Sequence, residues 1–599
     1  MHGLPRHPYE SFETLTDRIA DRYVSAPARG VFRATMRIWR KVFGVEVAER
    51  AVAQDMAAGR DGFWHDEWIH DEMFYPEISA TLLGEVESGD PIRRAATLIH
   101  AAVRFMQRAR AGQLGVEVHA GRPQDMRRYR HFFSRICRAR VVGKGLRHRF
   151  DDLGPSDHVV VCVGGDLFAL RVLEGGAPVS RSDLHCALCD AVDAHRSAGP
   201  TAEPIAGRGY RPPVGLLTTV VNQTTVRLWD RLAARNPRAV ERLDSAIFFV
   251  SLDLDLGPET LDQTLSGLHI GRFEHRDFRR SLQIAIAANG AFGITVNPYA
   301  GIGGTLCARL VSELAEAVGA PEHPSSRPGR TGAPARIEPV RFVDPGFDGA
   351  ALEPIRASIR ERLYPAAHPT TFQIDGIGRE QFEALGLSCD AAFHAALALA
   401  WHRLRGRVPT VGNFINLRSV EHGDIWRYDA STSAMADFVE RPSLARFRAA
   451  ERAHKALIRR HKAADDELYL CAMILKRLVC DGSVRFSGFV TLMLVMSVFI
   501  RDFQRRLVNP DLWVSGIPAY PGLRATGRGG TTLRYLGQTS IGGHYMVFAD
   551  HIVICLVPGP RGRSRGAERA LAEALGESLR QLTRLATPPH RDGRQDKDP

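Results

Sequence analysis

The chain has 599 residues, 44% apolar and 24% charged, with 55 Gly and 34 Pro spread without a period. That length exceeds what one hydrophobic core organises and excludes a small binding module, while the composition excludes collagen-like and wholly disordered classes. Seventy-nine basic residues against 67 acidic ones leave a net charge of +12, and all but six of the cations are Arg. They run along the whole chain instead of forming basic blocks interleaved with aromatics, so the charge reads as a solvated Arg-rich surface and no nucleic-acid site is expected.

The opening Met1-His2-Gly3-Leu4-Pro5-Arg6 lacks the apolar core of a signal peptide. The longest uncharged apolar stretch, Phe486 to Ile500, is shorter than the roughly 20 residues a spanning helix needs. A cytoplasmic protein with no membrane span is the expectation. Nine cysteines, an odd number scattered from Cys137 to Cys555, do not form a small-secreted disulfide framework and are expected as thiols.

In chain order, Ser11 to Tyr23, Arg33 to Met56 and Ile92 to Arg110 space apolar residues at three and four, which predicts helices, with Trp64 and Trp68 on one helical face. From Val159 the period changes. Val159-Val-Val-Cys-Val163 and Leu167-Phe-Ala-Leu-Arg-Val-Leu173, separated by Gly164-Gly165-Asp166, predict a hairpin. A helix from a Ser180-x-x-Asp183 cap through His195 and a Gly/Pro-rich loop from Gly199 to Pro213 follow. Strands are predicted at Val214 to Thr219, Ala246 to Leu254, Leu282 to Ala287 and Ala291 to Val296, and helices at Arg227 to Leu243 and Gly304 to Val318. Pro321 to Arg336 is a surface excursion. The second half repeats the theme, with helices at Pro354 to Leu363, Cys389 to Leu404, Ser443 to Ala464, Glu467 to Val479 and Ala567 to Leu585. Its strands are expected at Pro409 to Asn416 and near Leu512 to Ile517 and His544 to Pro558.

Read in order, these segments resemble the choline/carnitine acyltransferase family. Leu4-Pro5-Arg6-His7-Pro8 is similar to the family's Leu-Pro-x-Leu-Pro opening, and Phe63-Trp64-His65-Asp66-Glu67-Trp68 to its Trp-Leu-x-x-Trp segment. Gly121-Arg-Pro-x-x-Met126-x-x-Tyr129 and then Cys137-Arg138 match a further stretch. Leu216-Leu-Thr-Thr219, Phe249-Val-Ser-Leu-Asp253 and Ser281-Leu-Gln283 through Asn289-Gly290-x-x-Gly293 fall in the same order. The resemblance implies an α/β (α+β) fold of two related domains, each a mixed β-sheet flanked by helices, similar to chloramphenicol acetyltransferase, with the active site in a tunnel where they meet. The divisions expected are 1–69, a helical segment packing with the C-terminal domain; 70–345, the N-terminal acyltransferase-like domain; and 346–599, the C-terminal one.

In such enzymes one His is the general base, worth about 10²–10⁴-fold, and an acidic residue four positions on orients it. Counted from Gly290 and Gly293, the family's Glu-His falls here on Asn297-Pro298 and its Asp/Glu-Gly on Ile302-Gly303. Pro cannot move a proton and Ile cannot orient an imidazole. The Ser-Thr-Ser triplet that polarises the carbonyl falls on Trp513-Val514-Ser515, and the acceptor-recognition Thr-Tyr-Glu-Ser on Thr410-Val411-Gly412-Asn413, while Arg418 and Gly423 keep their family identities. Of the two lysines presented to the coenzyme A phosphate, the first corresponds to Arg379 and the second to Glu383, which reverses the charge.

Two residues are candidate stand-ins for the base: Tyr299, next to the vacated position, and His544, on a strand that aligns with a tunnel-facing family segment. His551 matches a family His of structural kind. Trp513, Ser515, Asn297, Pro298 and Asn413 are the expected substrate-binding positions and Arg379 the coenzyme-binding one. No metal site is expected. His185-Cys186-x-x-Cys189 with His195 has ligand types for zinc, but Cys186 and Cys189 read as small core residues on the apolar face of one helix. His461-x-x-x-Asp465 reproduces the letters of the catalytic motif in a charged helix without the following Gly, and Gly301-Ile302-Gly303-Gly304 reads as a turn before a helix instead of a phosphate loop.

The functional expectation is an enzyme of altered chemistry, repurposed in bacterial specialised metabolism to act on an acyl, polyketide-like or carrier-bound substrate by transfer, condensation or cyclisation. Acyl-coenzyme A or an acyl-carrier-protein thioester is the expected acyl source, and a carrier protein the expected partner. The alternatives are a catalytically inactive protein that binds a small molecule or partner enzymes, and an acyltransferase with a substitute base.

Overall fold

The β-branched runs of the sequence pair into two large mixed sheets. The computed structural model describes residues 4, 11–45, 66–69, 72–119, 121–142, 145–197, 210–297, 300, 302–320, 336–347, 349–363, 369–421, 423, 425–462, 486–500, 503, 510–528, 541–558 and 566–587. The sheet strands, in chain order, are β1 (Ala80–Gly84), β2 (His158–Val163), β3 (Asp166–Arg171), β4 (Phe249–Asp253), β5 (Leu282–Ala287), β6 (Phe292–Val296), β7 (Ile337–Pro339), β8 (Thr370–Asp375), β9 (Val411–Asn416), β10 (Ile425–Asp429), β11 (Leu512–Gly516), β12 (Leu523–Arg528), β13 (Ile541–Val547) and β14 (His551–Pro558). Among the flanking helices are α1 (Phe12–Tyr23), α2 (Arg29–Val42), α3 (Pro91–Ala111), α4 (Arg181–Ser197), α5 (Leu261–His269), α6 (Gly304–Gly319), α7 (Arg379–Ala384), α8 (Cys389–Arg405), α9 (Leu444–Lys462), α10 (Phe486–Phe499) and α11 (Ala567–Ala586).

The first sheet has eight strands in the order β7-β3-β2-β4-β5-β6-β1-β12, the second six in the order β8-β14-β13-β11-β9-β10. Each contains the same unit. In the first, hairpin β2–β3, strand β4 and hairpin β5–β6 place β2, β4 and β5 side by side and parallel. In the second, hairpin β9–β10, strand β11 and hairpin β13–β14 place β9, β11 and β13 in the same way. The chain is thus built on a duplicated architecture. Strand β12, which lies between β11 and β13 in sequence, leaves their sheet and adds antiparallel to β1 in the other.

Two apolar cores follow among the described residues. One is centred on the first sheet, α3 and α6, and takes in Ile517, Leu523, Ala525 and Met546 from the second half. The other is centred on the second sheet, α8 and α11, and takes in Phe12, Leu15, Phe32 and Trp39 from α1 and α2.

Local chemistry explains the matches. Gly164 and Gly165, at φ 54° and 90°, form the two-residue turn between β2 and β3, which strongly favours residues free of a Cβ. The Ser180 hydroxyl accepts from the Asp183 N–H at 3.1 Å and starts α4. The differences are also local. Asp66–Ile69, expected as helix, is a strand that pairs Trp68 with Arg147 of Gly145–Asp152, whereas Trp64 lies outside the described residues. Val214–Thr219, expected as a strand, is helical. Its apolar run is buried on every side, so periodicity cannot separate the two states, and Gly215 lets its backbone sit where a Cβ would come within 1.8 Å of the Phe273 carbonyl oxygen. The helix expected over Arg227 to Leu243 is broken into Gln223–Arg235 and Pro237–Asp244, because Pro237 has no N–H to continue it. The parts of the expected elements at 46–56, 321–335 and 467–479 lie outside the described residues.

The first core contains a buried ion pair at the end of β4. Arg276 donates to both Asp253 carboxylate oxygens, at 3.1 and 2.6 Å, and to the Ser251 hydroxyl at 2.6 Å, with its side chain 0% exposed. Removing one partner leaves the other charge buried and uncompensated, so Arg276→Ala is expected to cost about 3–5 kcal/mol. Replacing the pair by Arg276→Met with Asp253→Leu should recover much of that loss in urea unfolding. A single variant as stable as the wild type would show that the pair does not hold the sheet.

Candidate functional site

Between the two sheets lies a cavity of about 130 Å³, lined from both sides. The first sheet contributes Ala80 and Leu82 of β1 and Val296 of β6, and the start of α6 contributes Gly304, Thr305 and Cys307. The second contributes Phe414 of β9, Ser515 of β11 and His544 of β13, and the crossing strand β12 adds Thr526. Ser515 and His544 are register partners on adjacent parallel strands, so their side chains emerge side by side. His544 Nδ1 lies 3.1 Å from Thr526 Oγ1, a buried hydrogen bond that joins the second sheet to the strand completing the first. Both Ser515 and His544 are buried, at 8% and 6% exposure. Cys307 is the cavity's thiol, and burial pushes its pKa up, which leaves it uncharged and a poor nucleophile.

The other sequence candidates fall in different places. Trp513 shares the face of Ser515 two residues away on β11 and stacks on Phe414, ring centroids 5.0 Å apart, so it backs the cavity wall through Phe414. Its register partners are Gly412 and Gly542, which leaves room for the indole. A Cβ at Gly412 would meet it at 3.0 Å. Asn413 points to the opposite face of β9 and donates to His394 Nε2 at 2.9 Å and to the Tyr428 hydroxyl at 3.1 Å. Asn297 is buried at the end of β6, its carbonyl accepting from the Ala300 N–H. Ile302 lines the cavity as an apolar group. Pro298 and Tyr299 lie outside the described residues. Arg379 and Glu383 are both exposed on the short helix α7. His551 stacks on Phe548 and pairs with Asp550.

Arg418, another lining residue, ties the second half of the chain to the first. Its guanidinium donates to Glu117 Oε2 at 2.7 Å and to the Asp125 carbonyl at 2.9 Å, and its own carbonyl accepts from the Asp125 N–H. Arg128 returns a bond to the Gly423 carbonyl at 2.9 Å. Burial opposes ionisation of Glu117, but the adjacent Arg418 charge and the hydrogen bonds from Tyr129 and Arg418 outweigh it and hold its pKa below the ordinary value.

The cysteines of α4 lie differently from the expectation. Cys186 is exposed and Cys189 half-buried, so they do not share the buried face of α4, which consists of Leu184, Ala187, Leu188, Ala191 and Val192. His195 lies apart from them, bonded through Nδ1 to Asp166 at 2.7 Å. His461 is buried against the Tyr428 ring, and Asp465 lies outside the described residues.

The sequence also left one network unread. His269, at the end of α5, donates from Nε2 to the Pro76 carbonyl at 3.0 Å, so its Nδ1 accepts from the Thr81 hydroxyl at 2.7 Å, and Thr81 in turn accepts from Thr295. Thr81 lies between the two β1 residues that line the cavity. The three residues are 188 and 214 positions apart in sequence, and only the sheet brings them together.

Two duplicated mixed sheets around a shared cavity define an acyltransferase fold of the chloramphenicol acetyltransferase type. Residues 63–558 match the family described as Choline/Carnitine o-acyltransferase, and the chain belongs to that family. It is 23% identical to the choline O-acetyltransferase of Sus scrofa over 380 residues, covering 59% of this chain and 56% of that protein. To the mitochondrial carnitine O-acetyltransferase of Saccharomyces cerevisiae (strain ATCC 204508 / S288c) it is 24% identical over 211 residues, 34% of this chain and 30% of that protein. The matched chain therefore spans about half or less of the length of these curated relatives. Among solved structures it is similar to the first condensation domain of the calcium-dependent antibiotic synthetase in complex with substrate analogue 3a, with TM-score 0.35, 11% identity, and 86% of this chain and 92% of that chain covered. Among the described residues no helix is long and apolar enough to cross a membrane.

Burial pushes His269 down to about 4, against about 6.5 in an unfolded chain. Between those values the unfolded state binds the extra proton, so stability rises with pH and is lost on acidification from about 6.5 towards 4, by up to about 3 kcal/mol in total. His269→Gln should be less stable than wild type at pH 7 and should lose less between pH 7 and pH 5 in thermal melts. An unchanged pH slope would show that His269 is not held neutral by the fold.

Proposed function

We propose that this chain is an acyltransferase-fold enzyme of altered chemistry, acting on an acyl group held in the cavity between its sheets, with His544 as the proton-transfer residue and Ser515 as a carbonyl-polarising donor. One observation carries the reading. Among the described lining residues, His544 is the group whose ordinary pKa lies near neutrality, and it stands beside the Ser515 hydroxyl.

The chemistry follows from that pair. The imidazole takes the proton of an acceptor hydroxyl or amine as that atom attacks the carbonyl carbon of a thioester. Charge that develops on the carbonyl oxygen is met by the Ser515 hydroxyl. The carbon–sulfur bond then breaks, and the proton held by His544 passes to the leaving thiolate. Thr526, through Nδ1, fixes the ring plane and is a positioning residue. The thioester is carried by coenzyme A or by a carrier protein; Glu383, which opposes a phosphate on the face of α7 that bears Arg379, favours a donor with fewer phosphate contacts. The apolar lining, with Phe414 stacked on Trp513, suits a polyketide-like or otherwise apolar acyl group of specialised metabolism.

Transfer of acetyl or long-chain acyl groups from coenzyme A to carnitine or choline is not expected, because neither position 298 nor 302 offers a base and Val411, Gly412 and Trp513 offer the acceptor no polar partners. Turnover near the common enzyme value of about 10 per second would overturn that expectation. With the native acyl donor, or a panel of acyl-pantetheine thioesters, His544→Ala should lower the rate by about 10²–10⁴-fold and Ser515→Ala by a smaller factor, with circular dichroism unchanged. Normal product from both variants would overturn the roles given to His544 and Ser515, and no product from the wild type with any donor would favour a binding protein without chemistry.

For the coenzyme, Glu383→Lys should tighten binding of coenzyme A by no more than about fivefold, as befits an exposed charge. Affinity for the 3′-dephospho form should not change; equal gains for both forms would remove Glu383 from the phosphate site.

A further inference from the structure

Behind the second sheet, on the face turned away from the cavity, Asp390, His394 and His454 converge. Asp390 and His394 are one turn apart on α8, and His454 reaches across from α9. Asp390 Oδ2 lies 2.6 Å from His454 Nε2 and Oδ1 lies 3.8 Å from His394 Nε2, so a ligating atom from each residue falls within 4.8 Å of the others. The imidazoles are buried, with side chains 2% and 1% exposed, whereas the Asp390 side chain is 46% exposed and gives a route from solvent.

Hydrogen bonding does not account for this cluster by itself. The Asn413 amide is oriented by its Oδ1, which accepts from the Phe414 N–H at 2.6 Å, so its NH₂ faces His394 and Nε2 there carries a lone pair. Nδ1 of His394 and Nδ1 of His454 are buried without a hydrogen-bond partner, so each ring makes its hydrogen bond at Nε2, the nitrogen turned towards Asp390. The Tyr545 hydroxyl donates to Asp390 Oδ1 at 2.6 Å, which leaves Oδ2 as the ligating oxygen and supplies the outer hydrogen bond that orients a ligating carboxylate.

We propose that Asp390, His394 and His454 form a binding site for one divalent transition ion of the zinc class. Two imidazoles and one carboxylate suit zinc and its neighbours, whereas calcium and magnesium prefer all-oxygen sets. Bonds of about 2.0–2.2 Å require the three side chains to draw in slightly, with Nε2 of His394 released from Asn413 and the His454 proton on Nδ1. Water entering past Asp390 completes the shell. The ion staples α8 to α9 and, through Tyr545, to β13, the strand that presents His544 on its other face.

The test is zinc titration of the chelator-stripped full chain, with Cys186→Ser and Cys189→Ser as background so that His185 and the α4 thiols do not contribute. One equivalent is expected to bind with a rise in melting temperature that chelator reverses. His394→Gln and His454→Gln should each weaken binding by at least 100-fold, whereas Asn413→Ala, which frees the His394 lone pair, should not weaken it. X-ray absorption of the loaded wild type should show nitrogen and oxygen neighbours with an imidazole signature, a readout that stands even if a variant fails to fold. Absence of stoichiometric binding, binding unchanged in folded His394→Gln, or sulfur in the shell each overturns the site.

Discussion

Strand β12 makes its hydrogen bonds in a sheet to which neither flanking strand belongs. Leu523 to Arg528 emerge after β11 and before β13, pair with β1 across the molecule, and thereby fix the distance between the two sheets. A ladder of main-chain hydrogen bonds has little freedom of register once one face is buried. Thr526 is held opposite Leu82, and its hydroxyl lies within reach of His544 on the sheet that β12 has left. The cavity exists because two independently packed cores are joined by a strand, not merely pressed together. Arg418, inserted among Glu117, Asp125 and Met126, makes a second tie between the two halves of the chain.

The duplicated unit of hairpin, strand and hairpin gives each sheet three adjacent parallel strands. Asn297 is buried at the end of β6, and Ile302 turns an apolar side chain into the cavity. The polar side chains facing the cavity from the second sheet are on β9, β11 and β13, with Ser515 and His544 as neighbours. The indole of Trp513 is accommodated by glycine on both sides, at 412 and 542, so its bulk is part of the strand pattern and not an obstruction forced into it.

Buried polar networks occupy the opposite faces. His269 with Thr81 and Thr295 lies behind β1, and Asp390, His394, His454 and Tyr545 lie behind β13. Each backs a strand on which an adjacent residue lines the cavity, Leu82 beside Thr81 and His544 beside Tyr545. Alternation along a strand makes this unavoidable: the side chain that serves the site and the side chain that anchors the strand are successive residues.

The sequence alone determined the elements with strong local signals: the Gly164-Gly165 turn, the Ser180 cap, the long helices from Cys389 and Ala567, and the collinear motifs that define the family. It also determined that positions 298 and 302 are Pro and Ile, since that is a matter of residue identity. It did not determine Val214–Thr219, where burial on all sides erases the period, or Asp66–Ile69, where the partner strand lies about eighty positions on. For the site, it supplied His544 and Ser515 as names and left their adjacency open. Only the tertiary structure made them neighbours, turned Asn413 away from the cavity, moved Trp513 behind Phe414, and brought His454 to Asp390 across 64 residues. The reason is physical. Turns, caps and helices are fixed by interactions within a few residues, whereas a site is fixed by strand order and register, which are decided by how sheets bury their faces against one another.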